Sequence, residues 1–156
     1  MDGTVPDPAQ RWFPIISIAF LLLNAAYFQH KANRSRSEDP RTADACEGVA
    51  YALTVWAPLA FLPLAVGAIL GQATVLDAFR PRTSPWGFAN MVGTLFVYAR
   101  LTVWLYWQRG GEFLEEHSSL FMHGNGFSSA RWARIGVTLM MLGGITAMVK
   151  SWFDNP

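Results

Sequence analysis

Residues 86–107 read WGFANMVGTLFVYARLTVWLYW, twenty-two residues with a single formal charge, Arg100. At about 1.5 Å per residue a helix of this length measures roughly 33 Å, close to the thickness of a hydrocarbon core. The stretch therefore reads as a transmembrane helix. An arginine at that depth costs at least about 2.5 kcal/mol against lipid unless it faces protein, ligand or water. The rest of the chain has to supply what Arg100 faces.

The composition agrees with a membrane reading. Of 156 residues, 52% are hydrophobic and only 15% charged, where a soluble domain of this size carries about 25% charged residues. The apolar residues fall into four blocks: 13–28 (FPIISIAFLLLNAAYF), 49–70 (VAYALTVWAPLAFLPLAVGAIL), 86–107 and about 132–152. Trp12 and Tyr27 flank the first block as interface aromatics. A signal peptide is a poor reading of it, because the one cation before it, Arg11, is outnumbered by Asp2 and Asp7. Pro58 and Pro63 should kink the second block, with neighbouring helices re-satisfying the carbonyls they orphan. That helix is expected to start ahead of the membrane, since TADACEG continues in helical register. Gly136, Gly143 and Gly144 give the fourth block small residues for close helix approach. The expected fold is all-α: one membrane domain, a four-helix bundle with both termini on the same side.

Charges orient the bundle. The connections 29–48 and 108–130, with the start of block four, carry Lys31, Arg34, Arg36, Arg41, Arg109, Arg131 and Arg134. The opposite side carries Arg11, Arg80, Arg82 and Lys150. An excess of cations marks the cytoplasmic side or its equivalent. The net charge of +1 points to no nucleic-acid partner. Lone Cys46 excludes an internal disulfide and the usual multi-cysteine zinc site.

Few residues are placed to do chemistry. Arg41, Asp44 and Glu47 lie at i, i+3, i+6, on one broad helical face at the cytoplasmic edge of a charge-free span. They are either helix-end charges favoured by the macrodipole or part of a site that reaches Arg100. Arg100 lies about 10 Å in from the end of its block, so it either turns inward toward Glu47 or snorkels to the interface. Arg131 and Arg134 are positive-inside anchors or site cations. His30, His117 and His123 all sit outside the apolar blocks, so haem ligated within the bundle is not expected. Glu115, Glu116, His117 and His123 have no convincing metal-ligand spacing, and no metal site is expected. Phosphate-loop, nucleophile-elbow and transporter-repeat patterns are lacking.

With these residues in view the chain resembles the MAPEG family, membrane-associated proteins of eicosanoid and glutathione metabolism. Members are four-helix membrane proteins of about this length. Their second helix opens with a basic residue and an Asn-x-x-Glu element, close to Arg41-Thr-Ala-Asp44-Ala-Cys46-Glu47 here. Their third helix carries Tyr-x-x-Arg or Tyr-x-Ala-Arg, close to Tyr98-Ala99-Arg100. The resemblance implies a homotrimer using glutathione as a transferase or peroxidase on lipophilic substrates. Arg41, Asp44, Glu47, Tyr98 and Arg100 would then hold the tripeptide, and Arg131 or Arg134 would stabilise its thiolate. The chain departs from the family at Asp44, where Asn is usual, in the spacing of Arg41, and at Val103, where His or Tyr is usual. The other expectation is a non-catalytic accessory subunit, packed among lipids and unlike subunits of a larger membrane complex.

Overall fold

The computed structural model describes residues 8–117 and 129–154. Helix α1 runs Pro8–Ser35, two turns past the end expected from its apolar block. The connection at 29–48 thus shrinks to residues 36–39. Helix α2, Pro40–Tyr51, opens on an Asp-Pro pair that stops one helix and starts the next. Pro40 fits the first turn, where its missing N–H has no intrahelical partner to lose. The Asp39 carboxylate accepts from the Thr42 amide at 3.2 Å and from its hydroxyl at 2.6 Å. Those two bonds hold the Asp39 carboxyl below its ordinary range, the hydroxyl contributing most.

The second apolar block is not one kinked helix. After α2 come a π-helical turn, Ala52–Trp56, a 3₁₀ turn, Ala57–Ala60, and helix α3, Leu62–Ile69. The segments before and after Phe61 are bent by 61°. Both prolines act here through the donors they lack. Pro58 cannot satisfy the Thr54 carbonyl and Pro63 cannot satisfy Leu59. Ala57 N–H reaches back five residues to the Ala52 carbonyl, and the chain then tightens as Phe61 N–H bonds Pro58. The Leu59 carbonyl lies against helix α4, Pro85–Trp107, at Gly93. A Cβ on Gly93 would stand 2.5 Å from that oxygen, so only glycine permits the approach.

The segment 71–85 contains a 3₁₀ turn, Val75–Phe79, closed by a reciprocal Thr74–Asp77 cap. Ser84 caps α4 with Pro85 in its first turn. Beyond α4 the expected loop folds in part into a short helix, α5, Gly110–Glu116, before the last helix, α6, Ala130–Asp154. Helix α6 opens two residues ahead of the block expected at about 132–152. By length and composition α1, α4 and α6 can each cross a membrane, and the bent α2–α3 pair makes a fourth if it counts as one span.

Neighbours in sequence pack antiparallel. Arg11 Nε donates to the Ala68 carbonyl at 3.0 Å while Arg36 pairs with Glu47, so α1 runs against α2 and α3. Trp56 meets Phe96, and the Trp86 ring lies against Gly67, so α4 runs back along that segment. Phe88 to Trp152, Thr102 to Met141 and Tyr106 to Thr138 set the register of α4 on α6. The α1–α2 seam is built of small residues: Ala25 and Ala32 on one side, Ala43, Cys46 and Ala50 on the other, all buried. Apolar environments lend helices no hydrophobic drive to associate, so close backbone approach has to supply the attraction. A second core joins Leu105, Leu114, Ala133 and Met141 where α4, α5 and α6 meet. Outside these seams large apolar side chains face outward, Trp107 at 73% exposure and Leu23 at 70%.

Candidate functional site

Between α1 and α2 the small-residue seam opens into a groove of about 430 Å³. Leu22, Ala25 and Ala26 line it from α1, with Ala50 and Val55 opposite. Its polar groups are Gln29, Glu47, Tyr51 and Thr54, and Glu47 is the one carboxylate among them. Ligand sites of this size, mostly apolar with a few converging polar groups, are the usual form of a small-molecule pocket. The local fold explains the placement. Glu47 and Tyr51 are one turn apart on α2 and so stack on one face. The π turn then carries Thr54 and Val55 onto the same wall, a common association of π-helical irregularity with functional surfaces.

At the mouth of the groove Arg36 of the α1–α2 connection pairs with Glu47. Both side chains are substantially exposed, 56% and 38%. Nothing in the sequence singled out Arg36 as this partner, because the pairing depends on how sharply the connection at 36–39 turns. Arg41 and Asp44, placed on the same broad face by the helical spacing, are both exposed on α2, and neither lines the groove.

Arg100 does not pair with Glu47 within the chain. Its Nη1 donates to Gln108 Oε1 at 2.9 Å, two turns along toward the helix end, and its guanidinium lies 5.4 Å from the Trp56 ring centre. It therefore snorkels, and an indole face takes part of its charge. Trp56 in turn meets Tyr51 edge-to-face at 6.4 Å, which leaves Arg100 two aromatic rings away from the groove. Tyr98, two residues before Arg100 and so about 200° around the helix, faces the other way. Its hydroxyl end rests on α6 at Gly144, where any Cβ would collide with it, and its ring packs on the Leu105–Met141 core. Gly143 has open space before it and Gly136 is exposed, so Gly144 alone of the three makes this close approach.

The two arginines of α6 part company. Arg134 Nη2 donates to Glu112 Oε1 of α5 at 2.6 Å, and Arg131 is exposed. The Glu112 carboxyl is held below its ordinary value, first by its own amide at the start of α5 and then by Arg134. Glu115 accepts from the Ala130 amide at 2.8 Å and so caps α6 from outside it. The acids 112 and 115 thus fasten α5 to the start of α6, a role that periodicity did not reveal. Among the described residues no three His, Cys, Asp or Glu side chains group to hold a metal ion, and His123 lies outside them. No protein-family model, curated protein or solved structure matches this chain.

Proposed function

We propose that the chain is an integral membrane protein crossing the bilayer four times, with both termini on one side. Its α1–α2 groove would hold a small amphipathic ligand, in the manner of a MAPEG-like, glutathione-dependent transferase or peroxidase. Support for the membrane comes from three long apolar helices plus the bent pair, and from outward-facing rings and leucines that water would not favour. The antiparallel registers bring Arg11 to the end of α3, Trp86 to that same end, and Trp152 to the start of α4. Four alternating crossings would follow from that order.

One observation carries the ligand reading: a groove otherwise short of charge places Glu47 inside it and Arg36 at its mouth. A carboxylate beside a guanidinium suits a head group with an amine and a carboxylate on one carbon, as glutathione has. The apolar wall formed by Leu22 and Val55 would take a lipophilic co-substrate. Arg131 is exposed where Arg134 is engaged by Glu112, and since neither lines the groove, Arg131 would act on a thiolate only from a second copy. The groove opens sideways, so a second copy lying over it would complete the site, in keeping with a homotrimer. The test is thermal stability of the purified protein with millimolar glutathione, since a ligand that binds only the native state must raise it. A rise absent with a peptide lacking the γ-glutamyl amine supports the reading; no rise at any concentration overturns it.

The accessory-subunit reading has its own support on α1. Phe13, Ile16, Phe20, Leu23 and Tyr27 recur at alternate spacings of three and four, and all are at least half exposed. That is the spacing of a helix-pairing seam. Co-purification with unlike membrane chains, and no response to glutathione, would favour it.

A further inference from the structure

A second groove, of about 250 Å³, lies between α4 and α6 on the far side of the molecule from Glu47's, and apolar side chains alone line it. Met91 and Leu95 form one wall; Ile145, Met148 and Trp152 form the other. On α6 these recur at three, four and seven, a stripe about 10 Å long that faces α4. At roughly 30 Å³ per water-sized group the groove accommodates about eight such groups in a row. That is one stretch of acyl chain, and too small a volume for a helix about 10 Å across.

Its end is marked by charge. Trp152 closes it, and the Arg82 guanidinium lies 5.9 Å from that ring's centre. Arg82 is exposed. Arg80 stands two residues before it in the same turn, also exposed. The nearest acid in sequence, Asp77, is already engaged by the Thr74 amide at 2.7 Å and hydroxyl at 3.2 Å. The groove thus has an exposed planar cation beside the ring at its end. A guanidinium fork matches a phosphate, so an anionic head group at this end of the paired helices would find a partner in Arg82.

We propose that this groove is a binding site for an anionic phospholipid, with one acyl chain between α4 and α6 and its phosphate on Arg82. The site rests on the membrane reading but not on the glutathione reading. Detergent-purified protein is mixed with equal amounts of phosphatidylglycerol and phosphatidylcholine of identical chains, and retained lipids are counted by native mass spectrometry. The wild type should retain the anionic lipid about fivefold over the neutral one, as about 1 kcal/mol per interfacial cation allows. Arg82→Gln, a surface change, should bring the ratio near one, while Arg82→Lys keeps part of it. Ile145→Trp, which fills the slot, should lower retention of both lipids. Equal retention by the wild type, or a preference that survives Arg82→Gln, overturns the proposal. A dimer that Ile145→Trp abolishes would give the groove to a second copy and also overturn it. Recovery of the chain in the soluble fraction after alkaline extraction of membranes would instead overturn the membrane reading beneath it.

Discussion

Replacing Glu47 with Gln separates a ligand contact from a structural one. Without ligand, Glu47 loses only its pairing with Arg36, and both side chains are more than a third exposed. Exposed pairs of this kind contribute about 0.2–1 kcal/mol. For a chain of this length the melting temperature should then fall by no more than about 4 °C. A ligand ammonium held by the same carboxylate is a charge-assisted bond worth about 1.5–3 kcal/mol, or roughly 10- to 150-fold in affinity. Glutathione at ten times the wild-type Kd stabilises the wild type by about 1.4 kcal/mol, and the variant by at most about 0.4 kcal/mol. Thermal unfolding of both proteins in one detergent, with and without glutathione, reads both numbers. Equal stabilisation of wild type and Glu47→Gln would refute the placement of the ligand. A loss well above about 1 kcal/mol in the absence of ligand would mean that Glu47 is structural.

Because Arg100 turns to Gln108 and Trp56, Arg100→Gln and Glu47→Gln should add, with a coupling below about 0.5 kcal/mol in a double-mutant cycle; a larger coupling would put the two in contact. Gly93→Val forces a side chain against the Leu59 carbonyl and should destabilise by about 1–3 kcal/mol in thermal unfolding, whereas an unchanged melting temperature would mean the close approach is not made. Glu112 has a folded value below its ordinary 4.5, so its stabilisation is complete above that pH and is lost as pH falls through the lower folded value. A melting curve series from neutral to acid pH should therefore show a decline below pH 4.5 that is shallower in Glu112→Gln; matching slopes would count against the Glu112–Arg134 pair.

The apolar blocks were legible as helices because runs of about sixteen to twenty-two residues with so few charges leave little else to read, and Pro58 and Pro63 marked where the second would fail. What they could not disclose was the form of that failure. A π turn, a 3₁₀ turn and a 61° bend arise because two carbonyls lose their donors five residues apart, and α4 passes one of them closely at Gly93. The site was half legible. Helical spacing placed Arg41, Asp44 and Glu47 on one broad face, and Glu47 does line a groove. The partners of the charged residues were not legible, since Arg36, Gln108 and Glu112 meet Glu47, Arg100 and Arg134 only after turns whose angles no periodicity records. Tyr98 and Arg100 looked like one motif, yet two residues on a helix point to nearly opposite sides.

The four-crossing arrangement is tested most directly by the sidedness of Ser37 and Thr83, which flank the bent α2–α3 pair. Each is replaced by cysteine in turn and labelled in sealed vesicles with a membrane-impermeant thiol reagent; the chain's own Cys46 is fully buried and should stay silent. If the pair crosses as one span, Ser37→Cys and Thr83→Cys label from opposite sides. Labelling of both from the same side would make the 61° bend a re-entrant turn, reduce the crossings to three, and contradict the account.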